Sequence, residues 1–545
     1  MLWGWSSVAV LAAAFAASLG RYVLAYRLHG DDFAMVLHSV PQYMGRNGWV
    51  KWFTDGYSHY FVNYPDWPHY RTAYVRPLAN VSFLLESLLA NRMGDSAYLV
   101  VGWAAILISA WLTVGLLRKT TAASGPLAAL AGIGVGLSPI WHGAMVSASF
   151  ATNALAWMFA IASLVALDPA KGPPRGWRLA ACLFLQACAI ASHDTAVVIP
   201  LVSVALLIAL SPRAPRLRTL SAYAIPVAWF VAERILLQVS GNADYGLSAM
   251  NALGARSLVR IALGWAMTCA VPSSFALWLA VRNALSATAV LALGLAFSAN
   301  VGVVAGIMSG LRQRFGRERW GLLGALAAAS IPALARGGTP RFSGLAFIVC
   351  MVVYMRLKGG LKPNWRYVAV LGLVVFSQVA LFSLDIMSEA SELARERRAA
   401  GRFFDSTRAA VQARHPDMLV LVNDRAGWYG AYAMLRLAEW PRSDAKVVVL
   451  NNLDGPGGSG ASHRVRRRGS RLAVEFKLAN GQEAFFAGAR PDPVTANGGF
   501  QYVGFRPGNG RAFEGLNMIG DMVPGSTLVV GYDPKTAEPF PPMWF

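Results

Sequence analysis

Residues 97–119 read AYLVVGWAAILISAWLTVGLLRK, an uncharged apolar run from 97 to 117 closed by Arg118-Lys119. A helix needs about 20 predominantly apolar residues to cross the hydrocarbon core. Lysine and arginine collect in the short cytoplasmic connections of membrane proteins. This stretch therefore predicts a transmembrane helix whose C-terminal end lies in the cytoplasm.

The same pattern recurs on both sides of it. Apolar runs predict spans at 3–25, 97–117, 126–138, 145–167, 179–191, 196–211, 219–238, 286–308, 320–335, 342–357 and 367–385. The chain has 545 residues, 55% hydrophobic and only 14% charged, where soluble proteins carry about 25% charged residues. The fold class expected is an α-helical polytopic membrane protein of about 11 spans. The run 3–25 lacks a basic leading segment and a small-residue cleavage site, so it reads as a retained span.

The net charge of +21 is unevenly spread. Residues 1–385 hold 29 Lys/Arg against 12 Asp/Glu, and residues 386–545 hold 20 against 16. The excess sits in connections between apolar runs, which argues for positive-inside sorting and against nucleic-acid binding. The basic connections at 118–119, 171–178, 213–218, 312–319 and 356–366 form one alternating set. Placing them in the cytoplasm puts 26–96 outside, together with the turns near 138–144, 192–195 and 336–341. The stretch 250–282 is apolar but interrupted by Arg256, Arg260, Pro272 and Arg282. It reads as interfacial or re-entrant helices on the outer side. Cys182, Cys188, Cys269 and Cys350 all lie in apolar segments without zinc-type spacing.

After residue 385 the composition changes. A charged helical run, Glu389 to Arg414, precedes strand-like runs at Met418–Val422, Lys446–Leu450, Leu472–Phe476 and Thr527–Val530. The expected domains are thus 1–385, a membrane domain with 26–96 as its first outer loop, and 386–545, a soluble periplasmic α/β domain. The run Arg464 to Arg468 reads as a solvated basic face or, alternatively, as a contact for anionic lipid or an acidic acceptor, and Gly455 to Gly460 lacks the Lys-Ser/Thr of a phosphate-binding loop.

Candidate chemistry concentrates on the outer side. Asp31-Asp32 follows the first span. One of them could cap a helix; the alternative is a carboxylate acting as a general base. An aromatic stretch follows, with Trp49, Trp52, Phe53, Tyr57, Tyr60, Phe61, Tyr64, Trp67 and Tyr70. It suits an interfacial belt or sugar-stacking faces. His59, His69, Arg71 and Tyr74 lie in or beside it as substrate-binding candidates. Arg76 precedes Pro77 and an apolar pattern at Leu78, Val81, Leu84, Leu85, Leu88 and Leu89, which predicts a helix lying on the membrane. Arg76 would stand at its positive end, as an anchor or a phosphate ligand. His142, His193-Asp194 and Arg341 lie in three further outer turns, where ionisable groups beside a bilayer lean functional. Glu233, near the outer end of a span, reads as a weaker candidate that pairs with a loop cation.

The order of these features resembles the GT-C superfamily of integral-membrane glycosyltransferases, and within it the protein O-mannosyltransferase group. The resemblance rests on a span followed by Asp31-Asp32, then a long loop closing on Arg76-Pro77-Leu78-Ala79-Asn80-Val81-Ser82-Phe83. It extends to Ser192-His193-Asp194-Thr195 ahead of Pro200, and to Arg341-Phe342, and covers roughly residues 1–385. It implies a polyprenyl-phosphate sugar donor, Asp31 or Asp32 as the acceptor base, and Arg76 and Arg341 on the lipid phosphate, with His193 beside them. His59, His69, Arg71, Tyr74, His142 and Asp194 are the other expected substrate contacts. The acceptor would be a glycan, a lipid or a protein such as a pilin, and the location the inner (cytoplasmic) membrane with the site facing the periplasm. A divalent metal ion is compatible with the Asp/His groups but has no diagnostic spacing. The rivals are a lipid-linked glycan transporter or flippase and a glycan polymerase or ligase. A transporter built from repeats would show two related halves, and no internal repeat is seen.

Overall fold

The computed structural model describes residues 2–24, 26, 76–121, 123–239, 287–335, 342–359, 365–384, 401–403, 405–407, 409–422, 446–452, 461–468, 471–478, 500–505, 525–533, 538–539 and 541–544. They belong to two compact units, a helical one and a sheet-containing one.

The helical unit contains α1 (Leu2–Leu24), α2 (Pro77–Met93), α3 (Val100–Thr121), α4 (Gly125–Gly136), the short α5 (His142–Val146), α6 (Ala151–Leu167) and α7 (Trp177–Ser192). It continues with α8 (Ile199–Leu210), α9 (Leu217–Ala222), α10 (Ala224–Val239), α11 (Ala287–Arg312), α12 (Arg317–Ala335), α13 (Gly344–Gly359) and α14 (Trp365–Phe382). A helix occupies every one of the expected spans. Among the described residues, five helical stretches are long and apolar enough to cross a membrane: Leu2–Leu24, Asp95–Thr121, Ala151–Lys171, Val290–Arg312 and Trp365–Phe382. The protein is an α-helical, multi-pass membrane protein.

The helices pack through small residues, because lipid offers no hydrophobic reason for helices to associate. A Cβ built on Gly321 of α12 would lie 2.6 Å from the Ala209 nitrogen and 2.7 Å from the Ala205 carbonyl oxygen of α8. Backbones can approach so closely only where one side chain is absent. Polar side chains add specific ties: Gln186 Nε2 of α7 donates to Ser203 Oγ of α8 over 2.9 Å.

The charges sort to opposite ends of this bundle. At one end Lys119 lies 3.6 Å and Lys171 3.2 Å from Asp168. Arg178 donates to the Leu167 and Asp168 carbonyls at 2.8 and 3.1 Å. Arg317 donates to the Ser211 and Pro212 carbonyls at 2.6 and 3.0 Å. Glu318 accepts from Arg314 at 3.2 Å and from Arg356 at 3.4 Å, and Lys358 reaches Ser309 Oγ at 2.7 Å. Several of these cations cap carbonyls just past helix C-termini, where both the orphan acceptors and the helix dipole favour positive charge. The expected alternating basic connections therefore meet at one common end.

Helix α2 begins and ends at the other end, since Tyr98, just ahead of α3, donates to Ser87 of α2 over 3.2 Å. Its polarity is inside out. Ala79, Asn80, Ser82, Phe83 and Glu86 are buried, while Leu85, Leu88, Leu89 and Met93 are exposed. That matches a helix whose leucines meet lipid and whose polar face meets protein.

The second unit holds a six-stranded sheet ordered β5-β2-β1-β6-β7, with β8 also paired to β6. Here β1 is Met418–Val422, β2 Lys446–Asn452, β5 Phe500–Phe505, β6 Thr527–Asp533, β7 Glu538–Pro539 and β8 Met543–Trp544. β1 runs parallel to both β2 and β6, in register Met418↔Lys446 and Met418↔Thr527. Leu419, Leu528, Val529 and Val530 form its buried centre, as expected for a parallel strand covered on both faces. β3 (Ala461–Arg468) and β4 (Arg471–Leu478) form a separate antiparallel hairpin. The basic run at 464–468 is the main part of β3 and pairs with β4.

Candidate functional site

Asp31, Asp32, His59, His69, Arg71, Tyr74 and Arg341 lie outside the described residues, as does the stretch 250–282. His142 opens α5. The remaining candidates, Arg76, His193 and Asp194, are brought together.

The centre is the turn after α7. The helix stops at Ser192, His193 adopts extended backbone with φ −158°, and Asp194 opens a 3-10 turn, Asp194–Val198, leading into α8. The turn is fixed locally. The Thr195 backbone N–H donates to His193 Nδ1 over 3.3 Å, and the Thr195 hydroxyl lies 2.9 Å from the same nitrogen. His193 Nδ1 also lies 3.0 Å from Asp194 Oδ1. An imidazole nitrogen cannot accept from Thr195 and donate to Asp194 at once. The Thr195 backbone N–H can only donate, so Nδ1 is the acceptor. That assigns the ring proton to Nε2.

Two guanidiniums converge on Asp194. Arg76, at the head of α2, donates from one terminal nitrogen to Oδ1 over 2.8 Å. Arg234, well along α10, places a terminal nitrogen 3.5 Å from Oδ2. Their side chains are 11% and 15% exposed, and that of Asp194 is 16% exposed. Arg234 is further oriented by Phe230 one turn earlier, whose ring centroid lies 4.9 Å from the guanidinium carbon. The helix-to-helix route explains the convergence. α2 and α10 both pack beside α7, and the end of α7 carries the turn.

Phe342 reaches the same place. The rings of Phe342 and His193 are tilted at 50° with centroids 6.0 Å apart. Four segments far apart in sequence therefore meet at the end of the bundle opposite the basic rim.

Arg234 was missed by sequence reading, which singled out its neighbour Glu233. The signal was present: Arg234 is a cation within an apolar run, away from the basic connections, and such a residue needs a partner. Among the described residues no group of three or more His, Cys, Asp or Glu side chains is arranged to hold a metal ion.

No protein-family model matches the chain, and no curated protein matches it. Among solved structures it is similar to ArnT from Cupriavidus metallidurans in the apo state, at 13% identity and a TM-score of 0.46, covering 82% of this chain and 86% of that one. It is also similar to the same protein bound to undecaprenyl phosphate, at 14% identity and a TM-score of 0.44, covering 83% and 86%.

Proposed function

We propose that the chain is an integral-membrane glycosyltransferase of GT-C type that moves a sugar from a polyprenyl-phosphate donor to a hydroxyl acceptor on the extracytoplasmic side. The observation that carries this reading is the convergence of Arg76 and Arg234 on Asp194, beside His193. Paired guanidiniums at the mouth of a helical bundle suit a phosphate whose lipid tail stays in the bilayer.

In this reading Asp31 or Asp32 removes the acceptor hydroxyl proton as its oxygen attacks the anomeric carbon. The anomeric carbon–oxygen bond to phosphate breaks, and the electron pair leaves with the polyprenyl phosphate, inverting the centre. Arg76 and Arg341 stabilise the charge that develops on the phosphate, the usual large term in such catalysis, and His193 lies beside them. The basic rim faces the cytoplasm by the positive-inside rule, which puts the Asp194 end in the periplasm of an inner-membrane protein. A glycan, a lipid or a protein such as a pilin supplies the hydroxyl.

The test is sugar transfer from a polyprenyl-phosphate donor by Asp31→Asn and Asp32→Asn, measured separately. At least one should lose transfer by roughly 100-fold or more, the scale of a lost general base. Full activity in both removes the proposed base.

A further inference from the structure

We infer that Asp194 is a positioning residue for an anion site, holding Arg76 and Arg234 side by side rather than contacting the donor phosphate itself. The inference rests on the lipid-phosphate reading above and assigns Arg234 to the same site.

Two guanidiniums repel each other in a poorly solvated place unless an anion lies between them. Asp194 supplies that anion with one oxygen for each cation, Oδ1 to Arg76 at 2.8 Å and Oδ2 to Arg234 at 3.5 Å. An ionised carboxylate only accepts hydrogen bonds, so it would repel a phosphate and cannot be its ligand. A guanidinium, by contrast, carries five N–H donors in a rigid fork, so engagement with Asp194 is compatible with binding a second anion.

Geometry strengthens the case. Arg76 and Arg234 come from different helices, and one carboxylate spans them. Asp194 is itself fixed, at the start of a 3-10 turn whose preceding His193 is held by Thr195. Phe230 fixes the guanidinium of Arg234 from its own helix. Asp194 and Arg234 are thus each constrained from a second side, as a preorganised binding site requires. Partly buried ion pairs add little net stability against apolar replacements, so stability alone is a weak reason for placing three charges here.

The test compares binding of polyprenyl phosphate and of polyprenol, its uncharged counterpart, to the full-length protein in nanodiscs. Wild type should prefer the phosphate. Asp194→Asn, isosteric but neutral, should lower affinity for polyprenyl phosphate at least tenfold and leave polyprenol binding within twofold. Asp194→Glu should recover part of the loss, and Arg234→Gln should reproduce the Asp194→Asn phenotype. A merely structural aspartate would weaken both ligands together, and that outcome overturns the inference. So does Asp194→Asn binding the phosphate as wild type does. If Asp194→Asn does not fold, Asp194→Glu and Arg234→Lys carry the test, since both keep charge and displace it; wild-type phosphate affinity in both overturns the inference. If wild type shows no preference for the phosphate over polyprenol, the lipid-phosphate reading fails first, and the positioning inference with it.

Discussion

Arg76 shows what one residue can reveal and what it hides. Its place before Pro77 marked it in the sequence as the head of a helix and a phosphate candidate. The structure adds its tie to Asp194 at 2.8 Å. Replacing it by lysine keeps the charge but loses the planar fork that can meet an anion on two atoms. Arg76→Lys should therefore weaken polyprenyl-phosphate binding about tenfold, or roughly 1.4 kcal/mol, measured by titration in nanodiscs; unchanged affinity would remove Arg76 from the phosphate. His193 and Asp194 were legible for a similar reason, being polar groups in a short turn between apolar runs. Arg234 was not, because a helical residue declares its partner only through the face it shares, and α10 meets the Asp194 turn only when folded. Asp194 was expected to touch substrate; with both carboxylate oxygens beside guanidiniums, an orienting role fits better.

At the scale of elements, apolar length was the strongest signal, and each expected span contains a helix. Patterning was subtler. The leucines of α2 were legible as an apolar stripe, but the burial of Asn80, Ser82 and Glu86 on the opposite face needs the neighbouring helices to be seen. In the second unit, strands rich in β-branched residues were readable, as in β1 and β6, whereas β3 was hidden by its arginines and β5 by the lack of any clear alternation. Small residues inside spans carry a testable consequence. Gly321 meets the α8 backbone, whereas a Cβ on Gly115 of α3 would find nothing within 4 Å. Gly321→Leu should destabilise the protein by about 1–3 kcal/mol through overpacking, with Gly115→Leu near neutral. Thermal unfolding in detergent checks this, and equal melting of the two variants would contradict the close approach of α8 and α12. The Gln186–Ser203 hydrogen bond should show a smaller coupling, about 0.6 kcal/mol in a double-mutant cycle, the average for such ties between membrane helices.

The whole molecule is governed by which end each helix starts from. Arg234 of α10 lies at the Asp194 end. α11 finishes at the basic end, where Ser309 accepts from Lys358, so α11 begins at the Asp194 end. The chain therefore leaves α10 and enters α11 at the same end of the bundle. α12 rises from the Arg317 contact with the Ser211 carbonyl, and α13 returns to the rim at Arg356. α14 leaves the rim, and its last residue, Phe382, stacks on Phe15 with centroids 6.1 Å apart. Phe15 in turn meets Trp103, near the start of α3, at 5.4 Å, so α14 finishes at the Asp194 end. In the topology proposed above, the positive-inside bias puts the basic rim in the cytoplasm. A reporter fused after residue 315 should be active as a cytoplasmic marker, and one fused after residue 420 only as a periplasmic marker. A cytoplasmic signal at 420 would overturn the proposed topology. A lipid-linked donor displayed to the periplasm could not then be its substrate, and the enzymatic reading would fall on topology alone.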